Sequence, residues 1–235
     1  MEVQMKKILI TVLAFSVIAS SAFAKKWTNN IGVGFTVPIS TVTTKDTTVN
    51  KKEIEGEDIK QTGYGVEGTY IGVHESGFTA KADVSIGVAT SKDIGLQDEE
   101  TNIGVFENIY IGAGWSFVNT DNALFGITGM LGVDCSQYTS KEDVKWGTYT
   151  SEQTNEFAMV SFGIGADIFG VYRFQPNFGL FANVGVRYLV AGSSKVSSET
   201  ERKKDGRTEK TSTDFDIDLK GKFTVQPTIG IIWTF

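Results

Sequence analysis

The chain has 235 residues, with 22 Lys and Arg, 28 Asp and Glu and one His, a net charge of −6. That balance excludes nucleic acid as a partner, because phosphates demand a basic face. A single cysteine, Cys135, excludes an internal disulfide, and no Cys/His cluster exists to hold a metal, so no cofactor is implied.

The first residues carry an export pattern. Lys6 and Lys7 precede an apolar run from Ile8 to Ala19, and Ala22-Phe23-Ala24 supplies a small-x-small cleavage site. A helix spanning a bilayer takes about 20 apolar residues, and this run is shorter. Residues 1–24 are therefore expected to be a cleaved signal peptide, recognised at Ala22 and Ala24, with Met5, which opens a Met-Lys-Lys, a candidate for the true start. Residues 25–235 then form one domain. No later apolar run approaches the length of a transmembrane helix.

Beyond residue 24 the chain alternates with period 2 almost throughout. The first segment sets Ile31, Val33, Phe35, Val37 and Ile39 against Gly32, Gly34 and Thr36. The second has Tyr64, Val66 and Tyr70 opposite Glu67 and Thr69. The third runs Phe78, Ala80, Ala82, Val84, Ile86, Val88, interleaved with Thr79, Lys81, Asp83 and Ser85. In the fourth, Ile109, Ile111, Ala113, Trp115 and Phe117 oppose Tyr110, Gly112 and Gly114, and Glu107 breaks the register, which predicts a bulge or a membrane edge there. The fifth carries Phe125, Ile127, Leu131 and Val133. The sixth sets Val160, Phe162, Ile164, Ala166 and Ile168 against Ser161, Gly163, Gly165 and Asp167. The seventh has Phe178, Leu180, Ala182, Val184, Val186 and Tyr188 against Gly179, Asn183, Gly185 and Arg187. The eighth runs from Lys222 to Phe235 with Phe223, Val225, Ile229, Ile231, Trp233 and Phe235 on one face. Each segment is a strand with one apolar and one polar or small face.

The connections alternate as well. Residues 40–60, 91–102, 136–155 and 192–214 read as long polar loops. Residues 74–77, 119–122 and 173–177 read as tight turns. In an up-and-down meander the long connections share one end and the short ones the other, which is the arrangement of transmembrane barrels. The expected fold is all-β: a closed antiparallel up-and-down transmembrane β-barrel of eight strands. Both termini fall at the short-turn, periplasmic end.

A soluble barrel would also alternate, with its apolar face inside. Three features place the apolar face outside. The other face is rich in Gly, Ser and Thr, which suit a narrow interior. The charges within strands, Glu67, Lys81, Asp83, Asp167, Arg187, Lys220 and Lys222, share that face and carry both signs, so they can pair inside. Facing lipid at mid-depth, an Arg or Lys costs roughly 2–4 kcal/mol. Lastly, aromatics gather at the segment ends. Trp27, Trp115, Phe117, Phe125, Tyr172, Phe174, Phe178 and Trp233 mark the short-turn end, and Tyr64, Phe106, Tyr138, Phe157, Tyr188 and Phe223 the other, as two interfacial girdles.

The last segment, with Ile229, Ile231, Trp233 and a terminal Phe235, resembles the C-terminal assembly signal of bacterial outer-membrane proteins, which the barrel-assembly machinery reads. The whole chain after residue 24 resembles the small eight-stranded class: the OmpA transmembrane domain, OmpX, OmpW and opacity-type proteins. In general appearance it is also similar to treponemal outer-membrane barrels of unknown function. The resemblance implies an integral outer-membrane protein whose partners are lipid and the export and assembly machinery.

No catalytic residue stands out. The sole histidine, His74, sits at a tight turn rather than beside a nucleophile. The loop acids Glu55, Glu57, Asp58, Asp98, Glu99 and Glu100 read as solvated charge. Two functions remain. In one, the barrel is a scaffold whose exposed loops, including the basic Arg202-Lys203-Lys204, meet a host or extracellular ligand. In the other, suggested by the likeness to OmpW, it is a narrow conduit for small or hydrophobic solutes, although eight strands ordinarily leave no aqueous channel.

Overall fold

The computed structural model describes residues 26–45, 47–49, 52–54, 58–92, 102–146, 149–204 and 207–235. The expected cleavage residues Ala22 and Ala24 lie outside the described residues. Among the described residues eleven strands follow one another: β1 Trp27–Thr36, β2 Ile39–Thr44, β3 Thr47–Val49, β4 Lys52–Ile54, β5 Asp58–His74, β6 Phe78–Lys92, β7 Asn102–Asn119, β8 Ala123–Trp146, β9 Tyr149–Gln175, β10 Phe178–Lys204 and β11 Arg207–Thr234.

Nine of them form one antiparallel sheet in the order β1-β11-β10-β9-β8-β7-β6-β5-β2, and β1 also pairs with β5 and β2 with β11. The ladder thus returns to its start. β1 and β2 are halves of one stave interrupted at Val37-Pro38, so the ring has eight staves, as the alternation predicts. Proline has no N–H to give a ladder. The chain stays bonded across the break, because Val37 N donates to the Pro227 carbonyl at 3.0 Å and Gly63 N donates to the Pro38 carbonyl at 2.7 Å.

Tight turns join β5 to β6, β7 to β8 and β9 to β10. In the first, Gly77 has φ 94°, a left-handed backbone that favours glycine. A Cβ at Gly77 would also meet the Trp115 indole at 2.9 Å. Trp27 lies opposite His74, and Asn30 opposite Thr234, so the start of β1 and the end of β11 share the short-turn end.

At the other end the expected loops are in large part strand. β8 and β9 stay paired out to Trp146 and Tyr149, and β10 and β11 out to Lys204 and Arg207. β9 and β10 pair as far as Thr150 and Lys203. β7 leaves β8 at the Ile103–Thr139 pair, and β2 leaves β11 at Thr44–Leu219. Residues 136–155 and 192–214 therefore belong largely to a four-stranded sheet standing beyond the ring. Within 40–60, β2 continues to Thr44 and β3 pairs with β4; most of 91–102 lies outside the described residues. Polarity on both faces hid these strands. Ser and Thr compete little with a ladder once neighbouring backbone is there to bond, and Thr is β-branched.

The register break also differs from expectation. Glu107 sits in an unbroken ladder opposite Ile86 and Cys135. The bulge falls instead between Ser116 and Val118, and leaves Phe117 and Val118 both exposed.

The outer face is apolar, as predicted. Ile86 is 58% exposed, Ile168 51% and Val184 47%, whereas Asp167 between its neighbours is 0% exposed. So continuous an apolar surface needs an apolar surrounding. The interior is less uniform than its glycines suggest. Phe181, Phe169, Tyr110, Met130 and Leu124 are fully buried. The glycines are seats for these rings: a Cβ at Gly32 would fall 2.8 Å from Phe181 Cε1, and one at Gly126 would fall 2.7 Å from Phe169 Cζ. Large inward side chains and bare backbone thus interlock across strands. Phe106, Tyr138 and Phe157, expected in the outer girdle, point inward and are buried. Each has the inward parity of its own strand, and Tyr138 and Phe157 are flanked by outward Gln137, Thr139 and Glu156; nearness to a strand end does not set which face a ring takes.

Two apolar layers result. Ile71, Val73, Leu124, Phe169, Val171, Phe181 and Ile232 fill the turn end. Val42, Ile59, Phe106, Tyr138, Phe157, Met159 and Leu189 are among those filling the far end. Between them lies a charged layer.

Candidate functional site

The charged layer is assembled from four staves. Lys81 and Asp83 point inward from β6, Asp167 from β9, Arg187 from β10 and Glu67 from β5, each with outward apolar neighbours along its strand. Lys81 Nζ contacts Asp83 Oδ2 and lies 2.6 Å from Asp167 Oδ2. Arg187 closes the other side, paired with Asp167 Oδ1 and 3.8 Å from Asp83 Oδ2. Thr69 Oγ1 donates to Asp83 Oδ1 at 2.7 Å. Two cations and two carboxylates thus form a four-membered ion-pair ring across the lumen. Both charges of each pair are buried, and such a pair holds only with additional hydrogen bonds.

Above it, Tyr110 Oη donates to Asp134 Oδ2 at 2.9 Å, and Lys222 Nζ lies 3.5 Å from the same oxygen. Glu67 takes a different set of partners. Gln226 Nε2 donates to its Oε2 at 2.7 Å, the Thr228 hydroxyl lies 3.0 Å from that oxygen, and Asn183 Nδ2 lies 3.4 Å from Oε1.

Six of the seven predicted interior charges, Glu67, Lys81, Asp83, Asp167, Arg187 and Lys222, are buried within the ring. Lys220 is not; it is exposed. A register shift between Leu219 and Gly221 reverses which face each residue takes, so simple alternation assigned it wrongly. Tyr110, Asp134, Thr69 and Gln226 were not singled out, although each has the parity of the inward face. Arg173, near the turn end of β9, was missed too; it is 4% exposed and its guanidinium reaches several strands.

The outward positions divide by height. Trp115, Phe117 and Tyr172 are exposed at the turn end, where Trp27 packs edge-on against His74 and Phe78, and Phe178 packs edge-on against Phe174 and at a tilt against Trp233. Tyr64 and Tyr188 are exposed toward the other end. Ile229, Ile231 and Trp233 lie on the outer face of β11, and Phe235, just past its end, is exposed as well. His74 Nδ1 is 2.9 Å from Ser76 Oγ at its turn, and Cys135 is half-exposed on β8. Among the described residues no three His, Cys, Asp or Glu side chains gather as a metal site.

This architecture is that of the small bacterial outer-membrane β-barrels. The outer membrane protein OprG from Pseudomonas aeruginosa superposes with a TM-score of 0.52 at 15% identity, over 90% of this chain and 97% of that one. Two further structures are similar at lower scores. They are a major outer membrane protein from Thermus thermophilus (0.47, 11% identity, 86% of this chain and 99% of that) and Ail, the attachment invasion locus protein of Yersinia pestis (0.42, 13%, 89% and 99%). No protein-family profile matches the chain, and no curated protein matches it. At such identities the likeness defines the fold.

Proposed function

We propose that the protein is an integral outer-membrane protein whose ring is a filled, rigid frame, with the sheet formed by the far ends of β8, β9, β10 and β11 as its working surface. The observation that carries this is the pairing of an occupied lumen with a long projecting sheet. Two apolar layers and the four-membered ion-pair ring occupy the ring's interior. The strands then run on well past the last rung of β7 and of β2. Residues 199–203 and 208–214 of the β10–β11 hairpin are polar and half-exposed or exposed, while Val196 nearer the ring is buried; Lys195 pairs with Asp214, and Lys210 with Glu199 and Glu201. Rigid frames commonly carry binding on what projects from them. A polar, charged sheet fits a soluble or polysaccharide partner outside the cell better than lipid. A solute conduit would have to displace the Arg187–Asp167 and Lys81–Asp167 pairs.

In this reading residues 1–24 are removed on export and both termini face the periplasm. The outward row Ile229, Ile231, Trp233 and Phe235 is what the assembly machinery engages, and the apolar belt meets lipid. The test is a short epitope tag placed at the tip joining β10 to β11, probed in intact cells. Antibody binding without permeabilisation is expected. Labelling only after lysis, or recovery of the processed protein without detergent, overturns the proposal.

A further inference from the structure

We propose that the joint where β1 and β2 meet β11 is the place at which the ring opens, and that a luminal column of side-chain hydrogen bonds anchored by Arg173 holds it shut.

The joint is weak as a backbone ladder. It unites the two ends of the barrel chain, so no hairpin turn keeps its strands together, and loop closure works against it. One of the chain's three prolines, Pro227, lies in it with its polar backbone edge facing the joint. The Pro227 carbonyl accepts from Val37. In an antiparallel ladder a residue's N–H and C=O face the same neighbour, so the donor that Pro227 lacks is missing from this joint. Opposite it the stave itself is interrupted between β1 and β2, where the Pro38 carbonyl turns to Gly63 of β5 rather than to β11. Toward the far end the β2–β11 register slips between Leu219 and Gly221.

Inside the lumen the same joint is stitched by side chains. Asn30 and Thr234, Thr36 and Thr228, and Ser40 and Thr224 are directly opposite pairs in the register. Their side-chain oxygens approach to 2.8, 2.9 and 2.8 Å. The Thr36–Thr228 and Ser40–Thr224 stitches are buried and the Asn30–Thr234 stitch is part-buried, and bonds withdrawn from water count for more than those at a surface.

Arg173 fixes the lower stitch from outside the joint. It belongs to β9, with β10 between it and β11. Its Nε donates to Thr234 Oγ1 at 2.8 Å and its Nη2 to Asn30 Oδ1 at 2.9 Å, one atom on each side. Its Nη1 donates to the carbonyls of Thr120 at 3.0 Å and Asp121 at 3.4 Å, in the turn between β7 and β8. Only a planar, multi-donor guanidinium satisfies three directions at once. The joint is therefore tied to a turn on another part of the ring. Arg173 is a positioning residue; the stitches are what it positions. The opening of this joint does not depend on what the projecting sheet contacts.

Hydrogen–deuterium exchange on the full protein folded in detergent micelles tests it. In the unaltered protein, peptides from β1 and from the last part of β11 are expected to exchange faster than those from β9 and the lower part of β10. Equal or slower exchange at the joint overturns the proposal. Arg173→Ala is expected to speed exchange at the joint by about tenfold or more, the effect of losing charge-assisted hydrogen bonds on local opening, with β6 and β7 unchanged. Arg173→Lys is expected to behave like the alanine variant, because one ammonium cannot span the three sites. A uniform rise along all strands, or no change at the joint, overturns the anchoring role. Should Arg173→Ala fail to fold, Thr234→Val removes one stitch alone and is read by the same criterion.

Discussion

The guanidinium of Arg187 lies 4.4 Å from the ring centroid of Tyr110, whose hydroxyl in turn donates to Asp134. Tyr110 thereby links the ion-pair ring below to the Asp134–Lys222 pair above. Tyr110→Phe keeps the ring under Arg187 and removes one hydrogen bond to a buried carboxylate. A loss of about 1.5–3 kcal/mol is expected, and Tyr110→Leu should lose more because the cation–π contact goes too. Urea unfolding in micelles, followed by tryptophan fluorescence, measures both.

Asp167 is the carboxylate shared by Lys81 and Arg187. Asp167→Asn leaves two buried cations with Asp83 alone between them. A loss of roughly 3–5 kcal/mol is expected, as for other buried pairs stripped of one partner. A stability within about 1 kcal/mol of the parent, on the scale of an exposed pair, would mean the ion-pair ring is not dry.

On the outer face the expectation is different. Val184, at mid-strand on β10, is outward and exposed. Val184→Arg should cost roughly 2–4 kcal/mol when the protein is folded into bilayers. In water a surface Val to Arg change is nearly neutral, so an unchanged midpoint in vesicles would contradict a lipid-facing assignment.

Gly32 and Phe181 form an interlocking pair, since a Cβ at Gly32 meets the Phe181 ring and Thr69 Cγ2 within 3.0 Å. Gly32→Val should destabilise by about 1–3 kcal/mol through overpacking. The double variant with Phe181→Leu is expected to lose less than the sum of the two single changes, because the smaller side chain vacates the space. Strict additivity in the four unfolding curves would show that the two do not touch.

The β10–β11 hairpin supplies a pH prediction outside the membrane. Hydrogen bonds from Lys203 and then Lys210 hold the Glu201 carboxyl down to about 2, and the Lys195 ammonium holds Asp214 below its ordinary value. A carboxylate held low favours the ordered hairpin at pH above its unfolded value of about 4.3. That contribution fades as pH falls toward about 2. These groups are exposed, so salt should weaken the effect. A carbon-detected NMR titration of the Glu201 side chain checks it; a midpoint at the ordinary glutamate value would remove the pairing.

Much of this fold is legible in the chain itself. Alternation from Ile31 to Ile39 or from Phe178 to Tyr188 assigns inward and outward faces, since successive strand residues point to opposite sides wherever the strand lies. The same parity marked Glu67, Lys81, Asp83, Asp167 and Arg187 as sharing a face. It failed at Lys220, where a register slip reverses the faces; at Phe106 parity points inward, and it was the position near a strand end that suggested the outer girdle. It also could not show the projecting sheet, because Ser197 to Thr200 and Thr211 to Thr213 have no apolar face to count.

By itself the sequence determined the number of staves, the direction of the apolar face and the end at which the turns lie. These follow from period and spacing, which are local properties of a strand. Only the tertiary structure decided that Lys81 meets Asp167, that Arg173 reaches Asn30 and Thr234, and that Phe181 rests on Gly32. Those partners sit on different staves, and the register between strands, bulges included, sets which of them share a level. Curling the sheet into a ring then brings opposite staves within reach of one side chain.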